Sequence, residues 1–84
     1  MEPRTELVLG LLKKVMSGEV SPELALEQWP SIDTEEDDLL AATWHDLSHF
    51  AADQDIRARD LAYADCQTQL LKRRVREIRQ KFGP

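Results

Sequence analysis

One amphipathic pattern runs through the last quarter of the chain. From Leu61 onward, apolar residues recur at spacings of four, seven and eleven, which is typical of a helix with one buried face. We expect this helix to span roughly residues 60–82, about six turns, and to end at Gly83. No strand-like alternation competes with it elsewhere, so the sequence predicts an all-α fold. The apolar residues of the pattern are Leu61, Ala64, Leu71, Val75, Ile78 and Phe82.

Two shorter helices are predicted at the start of the chain. An apolar stripe favours a first helix over roughly residues 4–17, which Gly18 is well placed to end. Ser21 is a good N-cap and Pro22 suits a first helical position, so a short second helix should cover about residues 22–29. The tight link between the two favours a helical hairpin. The apolar residues expected to be buried are Leu7, Val8, Leu11, Leu12, Val15, Leu24, Leu26 and Trp29.

A third helix is predicted to begin near an acidic run and to continue to about residue 52. Asp33 or Thr34 should cap it, and Glu36 or Asp37 can complete a capping box. The run "EEDD" would then lie at the positive end of the helix dipole, and this structural role is favoured over a metal or substrate site. Its apolar face should contain Leu40, Trp44, Leu47 and Ala51.

These elements predict a small four-helix bundle with an N-terminal hairpin and a long last helix, forming a single helical domain over residues 1–84. A chain of 84 residues can build only one small core. We find no leader and no membrane-length apolar run, so we expect a soluble cytoplasmic protein. Cys66 has no internal partner for a disulfide. Because the last helix is the longest, we expect its apolar end at Ile78 and Phe82 to overhang and to support a homodimer.

The charges are distributed unevenly along the chain. Residues 1–71 carry five Lys or Arg against fifteen Asp or Glu, whereas residues 72–84 carry six basic residues and one acidic residue. An acidic body repels phosphate and favours encounter with cationic surfaces. The balance therefore argues against nucleic acid and for a basic protein partner.

The stretch "WHDLSHFAADQDIRARD" contains the residues that could carry chemistry. His45, His49 and Asp53 are spaced by four residues, so one helical row could present them to a metal ion, as in the zincin motif. The Glu that follows the first histidine of that motif is replaced by Asp46. Exposed or partner-facing histidines are therefore favoured over a metal site, and no cofactor is expected. No combination of Ser, Cys and His residues suggests a catalytic nucleophile with its base, so an enzyme is not expected.

The charges at the junction of the third and fourth helices have two interpretations. The structural one is that arginines tie two helix ends together by bonding carboxylates and free carbonyls, while Ile56 plugs the bundle and Asp60 starts the last helix. The functional one is that some of these charges, with His45, His49 and Asp46, form a polar surface for a partner. The residues assigned to structural ion pairs are Asp53, Asp55, Arg57, Arg59 and Asp60.

The basic end of the chain gives weak support to nucleic-acid binding. On a helical wheel its six cations are scattered around the whole non-core circumference and do not form one stripe. Cations also stabilise the C-terminal end of a helix through its dipole. A solvated surface is favoured, ahead of self-association or contact with an acidic partner. The six residues are Lys72, Arg73, Arg74, Arg76, Arg79 and Lys81.

The order of these elements resembles the small helical immunity proteins that protect bacteria from their own colicin-D-type nuclease toxins. The matching features are "LVLGLLKKVMSGEVSPE" turning into a short second helix, an acidic segment, and "FAADQD" leading into a long last helix. The run "WHDLSHFAADQDIRARDLAY" also resembles uncharacterised small bacterial helical proteins. The immunity resemblance implies that acidic side chains mask the basic site of a nuclease. The implied partner-binding residues are Glu35, Glu36, Asp37, Asp38, Asp46 and Asp53.

Three functions follow as hypotheses. The preferred one is a non-enzymatic, acidic protein-binding module, which the resemblance narrows to a toxin-neutralising protein. The first alternative is a metal- or pH-responsive helical regulator that uses His45 and His49, since an unperturbed imidazole changes charge near pH 6.5. The second alternative is a structural or dimerisation domain.

Overall fold

Five α-helices form the regular structure of the residues that the computed structural model describes, which are residues 3–30 and 35–83. The predicted all-α class and the long last helix are therefore confirmed. The helices are α1 (Pro3–Ser17), α2 (Pro22–Gln28), α3 (Asp38–Ala52), α4 (Gln54–Arg59) and α5 (Leu61–Phe82).

The link between α1 and α2 follows the sequence signals closely. Gly18 ends α1 with a φ of 82°, a left-handed conformation that glycine adopts without steric cost. Ser21 caps α2, because its Oγ accepts a hydrogen bond of 3.1 Å from the N–H of Leu24. Pro22 occupies the first position of the helix. α2 folds back against α1 and also packs on α3.

α3 begins later than the sequence predicted. Residues 35–37 are not helical, Asp37 is the N-cap, and Asp38 is the first helical residue. The predicted caps Asp33 and Thr34 lie outside the described residues. Several neighbouring residues have side chains that can cap a helix, so local preference alone could not select the one that does.

The junction between α3 and α5 contains a helix that the sequence analysis missed. The predicted bundle had four helices, whereas the short α4 adds a fifth among the described residues. Asp60 then caps α5, as predicted, by accepting a hydrogen bond of 3.1 Å from the N–H of Tyr63.

The core lies between α1, α2, α3 and α5, where α5 packs on α1 and α3 and α2 also packs on both. Leu7 and Leu24, which were expected to be buried, are exposed. Leu9 and Ala25, on neighbouring positions of the same two helices, are buried instead. The buried apolar residues are Val8, Leu9, Leu11, Leu12, Val15, Ala25, Trp29, Leu40, Leu47, Leu71, Val75 and Ile78.

The end of α5 that extends from the core is opposite to the predicted one. Ile78 is completely buried and Phe82 packs against the core. The prediction that these two residues form an overhanging apolar end for a second subunit is therefore wrong. Residues 61–70 of α5 instead include no buried side chain. Leu61 is 83% exposed and Ile56 is 42% exposed, so Ile56 does not plug the bundle either. α4 packs on this half of the molecule but buries none of its own residues.

Candidate functional site

The acidic segment before α3 is held by contacts from both ends of the chain. Asp37 Oδ1 accepts hydrogen bonds from the N–H groups of Leu39 and Leu40 at 2.9 and 3.0 Å. Its Oδ2 lies 2.5 Å from Nζ of Lys81 in the last turn of α5. The same carboxylate therefore starts α3 and ties it to α5.

Glu35 is the second anchor of this segment. Its carboxylate forms an ion pair with Arg4 of α1, and its side chain is only 7% exposed. Glu35 Oε2 also accepts a hydrogen bond of 3.0 Å from the N–H of Asp37. The approach to α3 is thus fixed to α1 on one side and to α5 on the other.

These contacts change the acidity of both anchors. Burial raises the pKa of Glu35, but the hydrogen bonds from Arg4 and from the Asp37 N–H outweigh it and leave the pKa below its usual 4.5. For Asp37, burial is likewise outweighed by Lys81 and by the helix N–H groups, and the pKa lies below its usual 3.8. Both side chains are held in the ionised form by the folded structure.

Glu36 and Asp38 differ from their neighbours in the same run. Both are exposed. Across residues 3–30 and 35–83, neither carboxylate has an ion pair or a side-chain hydrogen bond. The run "EEDD" therefore alternates between two anchored acids and two acids that face solvent.

Asp46, a further predicted partner-binding residue, belongs to the fold. Its Oδ2 lies 2.6 Å from Nε of Arg74, and both side chains are about one-fifth exposed, at 18% and 22%. Arg74 also reaches Glu77 at 3.4 Å. This ion pair links the middle of α3 to α5, so the Asp46 carboxylate already has a partner within the protein.

Asp53 is committed to a different network at the end of α3. Its Oδ2 accepts hydrogen bonds from the hydroxyl of Tyr63 at 2.6 Å and from Nε2 of Gln67 at 3.0 Å. Because the Tyr63 hydroxyl donates to a carboxylate, its pKa is raised above 10.0. Asp53, the carboxylate of the row proposed for a metal ion, is therefore occupied by hydrogen bonds from α5. The described residues contain no group of three potential ligands arranged to hold a metal.

His45 and His49 are exposed on α3, as the sequence favoured. The His45 ring packs edge-on against Trp44, with ring centroids 5.2 Å apart. The backbone carbonyl of His49 accepts the N–H of Asp53, which closes the last turn of α3.

The arginines of α4 bond backbone carbonyl groups, and Arg57 thereby holds the end of α3. Arg57 donates to the backbone carbonyl of Phe50 and to Gln67 Oε1 at 3.0 Å, and its guanidinium stacks 3.7 Å from the centre of the Phe50 ring. Arg59 Nε reaches the carbonyl of Asp55 at 3.4 Å. In the described part of the chain neither arginine pairs with a carboxylate, so the predicted ion pairs are wrong. The reason is that Asp53 faces Tyr63 and Asp60 caps α5, while Asp55 is exposed.

The basic residues of α5 fall into two groups. Arg74 and Lys81 turn toward α3 and pair with Asp46 and Asp37. The other four, Lys72, Arg73, Arg76 and Arg79, are exposed. The six cations that were predicted to be scattered around the helix therefore divide into two that pair with acids of α3 and its N-cap and four that face solvent.

Sequence reasoning missed the partners that anchor the acids. These are Arg4 on α1, Arg74 and Lys81 on α5, and the pair Tyr63 and Gln67. For Arg74 and Lys81 the available signal was the charge asymmetry itself, because an acidic body and a basic end of one chain are complementary. No pattern in the sequence pointed to Arg4, Tyr63 or Gln67.

Comparison of the chain with family models, with curated proteins and with solved structures finds no match. The helices of residues 3–30 and 35–83 include none with the length and apolar character needed to cross a membrane. The interpretation of the site therefore depends on the geometry of this chain.

Proposed function

We propose that this protein is a binding module for a basic protein partner, and that Glu36 and Asp38 make the central contacts. The observation that supports this is the alternation in "EEDD". Glu35 and Asp37 are anchored to α1 and α5, whereas Glu36 and Asp38 between and beside them face solvent without ion pairs in the described structure.

The anchoring matters for affinity. A binding segment that is mobile when free must be ordered on association, and this ordering costs free energy. Here the backbone that carries Glu36 and Asp38 is held by an ion pair on each side and by the N-cap of α3. The two free carboxylates are presented in a fixed position, so less ordering is needed when a partner binds.

The chain's charge favours a basic partner. A net charge of −5 attracts cationic surfaces over a distance set by ionic strength, which raises association rates. The immunity resemblance extends the proposal to a specific class, a nuclease whose basic site the acids would cover. In this role the module acts by occlusion and carries out no chemistry.

Affinity capture from lysate with matched variants tests the proposal. Tagged wild-type protein and the double variant Glu36→Gln with Asp38→Asn are compared at low salt and at high salt, and recovered proteins are quantified by mass spectrometry. The control is Glu6→Gln with Asp65→Asn, which removes one exposed Glu and one exposed Asp elsewhere.

We expect one basic protein, near equimolar with the bait, to be recovered by the wild type and by the control at low salt. The Glu36 and Asp38 variant should lose it, and high salt should release it. If the two double variants recover the same proteins in the same amounts, the proposal is wrong.

A further inference from the structure

The outer surface of α5 carries a compact basic group. Lys72, Arg73, Arg76 and Arg79 are exposed, and at 100° per residue they lie within an arc of about 120°. Arg73 is 68% exposed and pairs with Glu77 at 3.0 Å. In the described part of the chain, the other three have no ion pair.

Two residues of this basic group, Arg73 and Arg76, line two adjoining depressions. The first is also lined by Cys66, Gln69 and Leu70, and the second by Glu77 and Gln80. Leu70 is half-buried and gives the first depression an apolar wall. The surface thus combines a small apolar patch with a rim of guanidinium groups.

The outer surface of α2 has the complementary features. Leu24 is 42% exposed on this surface. Glu23 and Glu27 are exposed on either side of it along the helix and are one turn apart. Among the described residues neither has an ion pair.

We propose that the protein self-associates head to tail, with α2 of one copy docked on the outer surface of α5 of a second copy. Leu24 enters the depression beside Leu70, and Glu23 and Glu27 face Arg73 and Arg76. A second copy is the occupant because it always supplies the opposite charge at equal concentration. A polyanion fits the surface less well, since a phosphate backbone offers no apolar side chain to fill the depression beside Leu70.

This contact uses neither Glu36 nor Asp38, so it is independent of the proposed function. It joins two different surfaces and is therefore heterologous. The assembly can close into a ring or continue, depending on the rotation between neighbouring copies.

Charge reversal with complementation tests the proposal by sedimentation velocity. The acidic surface is reversed by Glu23→Arg with Glu27→Arg, and the basic surface by Arg73→Glu with Arg76→Glu. Lys13→Glu with Lys14→Glu is the control, because it changes the net charge as much as the second reversal at exposed positions of α1. Helical circular dichroism confirms that each variant is folded.

We expect concentration-dependent association of the wild type and of the control, weakened by salt. Each reversal alone should weaken association about 100-fold, because like charges then face each other. An equimolar mixture of the two reversed proteins should associate again, since each now complements the other at both surfaces.

Three results would overturn the proposal. These are a wild type that stays monomeric, association that neither reversal weakens, and reversed proteins that remain separate when mixed. A monomeric wild type that is retained on heparin through Arg73 and Arg76 would assign the basic surface to a polyanion instead.

Discussion

Nζ of Lys81 lies 2.5 Å from Oδ2 of Asp37, a residue 44 positions earlier in the chain, while the other oxygen of that carboxylate caps α3. One acidic side chain therefore starts a helix and joins it to the end of another. Arg4 and Glu35 make the equivalent link to α1. At Asp37 and Lys81, the acidic and basic blocks of the sequence meet in an internal contact.

The ion pair between Asp46 and Arg74 should contribute more to stability than the one between Arg73 and Glu77. The first is mostly screened from solvent and joins two helices, whereas the second is an exposed pair within one helix. Double-mutant cycles in urea, with Asp to Asn, Glu to Gln and Arg to Met changes, should give coupling of about 1 kcal/mol for the first pair. For the second we expect about 0.3–0.5 kcal/mol. Equal coupling in the two cycles would contradict this.

Stability should fall in acid because of Glu35 and Asp37. The pKa of each is lower in the folded chain than its usual value, 4.5 for Glu35 and 3.8 for Asp37. The folded state therefore binds protons less readily than the unfolded state, so the stabilisation is complete above these usual values and is lost as pH falls through the lower folded pKa.

Melting temperature measured against pH tests this with Glu35→Gln. The variant should be less stable than the wild type at neutral pH, and the difference should shrink as pH falls below 4.5, first as the unfolded carboxylate and then, at lower pH, as the folded one takes up a proton. Glu36→Gln, at an exposed neighbouring position, serves as the control and should follow the wild-type curve. A constant difference between Glu35→Gln and the wild type at all pH values would argue against the ion pair with Arg4.

Arg57 should matter far more than Arg59, two residues away. Arg57 holds the carbonyl of Phe50, Gln67 and the Phe50 ring, whereas Arg59 makes a single long contact within α4. Arg57→Ala should lower the free energy of unfolding by about 1–3 kcal/mol, and Arg59→Ala by less than about 0.5 kcal/mol. Hydrogen exchange should also show faster opening of α4 in the first variant. Similar losses in both would mean that α4 is not held by Arg57.

Truncation of Ile78 should cost far more stability than truncation of Ile56. Ile78 is completely buried, so Ile78→Ala should cost about 2–5 kcal/mol. Ile56 is 42% exposed, so Ile56→Ala should cost less than about 1 kcal/mol. Denaturant unfolding of both variants measures this directly. A larger loss at Ile56 would support the plug that the sequence suggested and contradict the structure.

The sequence predicted those elements whose signals are local. Ser21 and Asp60 cap α2 and α5 as expected, and Gly18 ends α1. α5 starts and ends within a residue of the predicted range, because the Asp60 cap marks its start and Gly83 marks its end.

Features decided by distant contacts could not be predicted in this way. Asp37 and the adjacent Asp38 are almost equivalent as caps, and Asp37 is selected together with the contact from Lys81, far along the chain. The position of Ile56 also depends on which side of α4 meets α5. A single apolar residue in a charged stretch gives no period from which to infer that side.

The most direct test is the free energy of unfolding of four single variants, Glu35→Ala, Glu36→Ala, Asp37→Ala and Asp38→Ala. If anchored and free acids alternate, the changes at Glu35 and Asp37 should each cost about 1–2 kcal/mol, through the lost ion pair and the lost cap. The changes at Glu36 and Asp38 should stay within about 0.5 kcal/mol of the wild type. Four similar losses, or a larger loss at Glu36 and Asp38, would contradict the division between structural and partner-facing carboxylates.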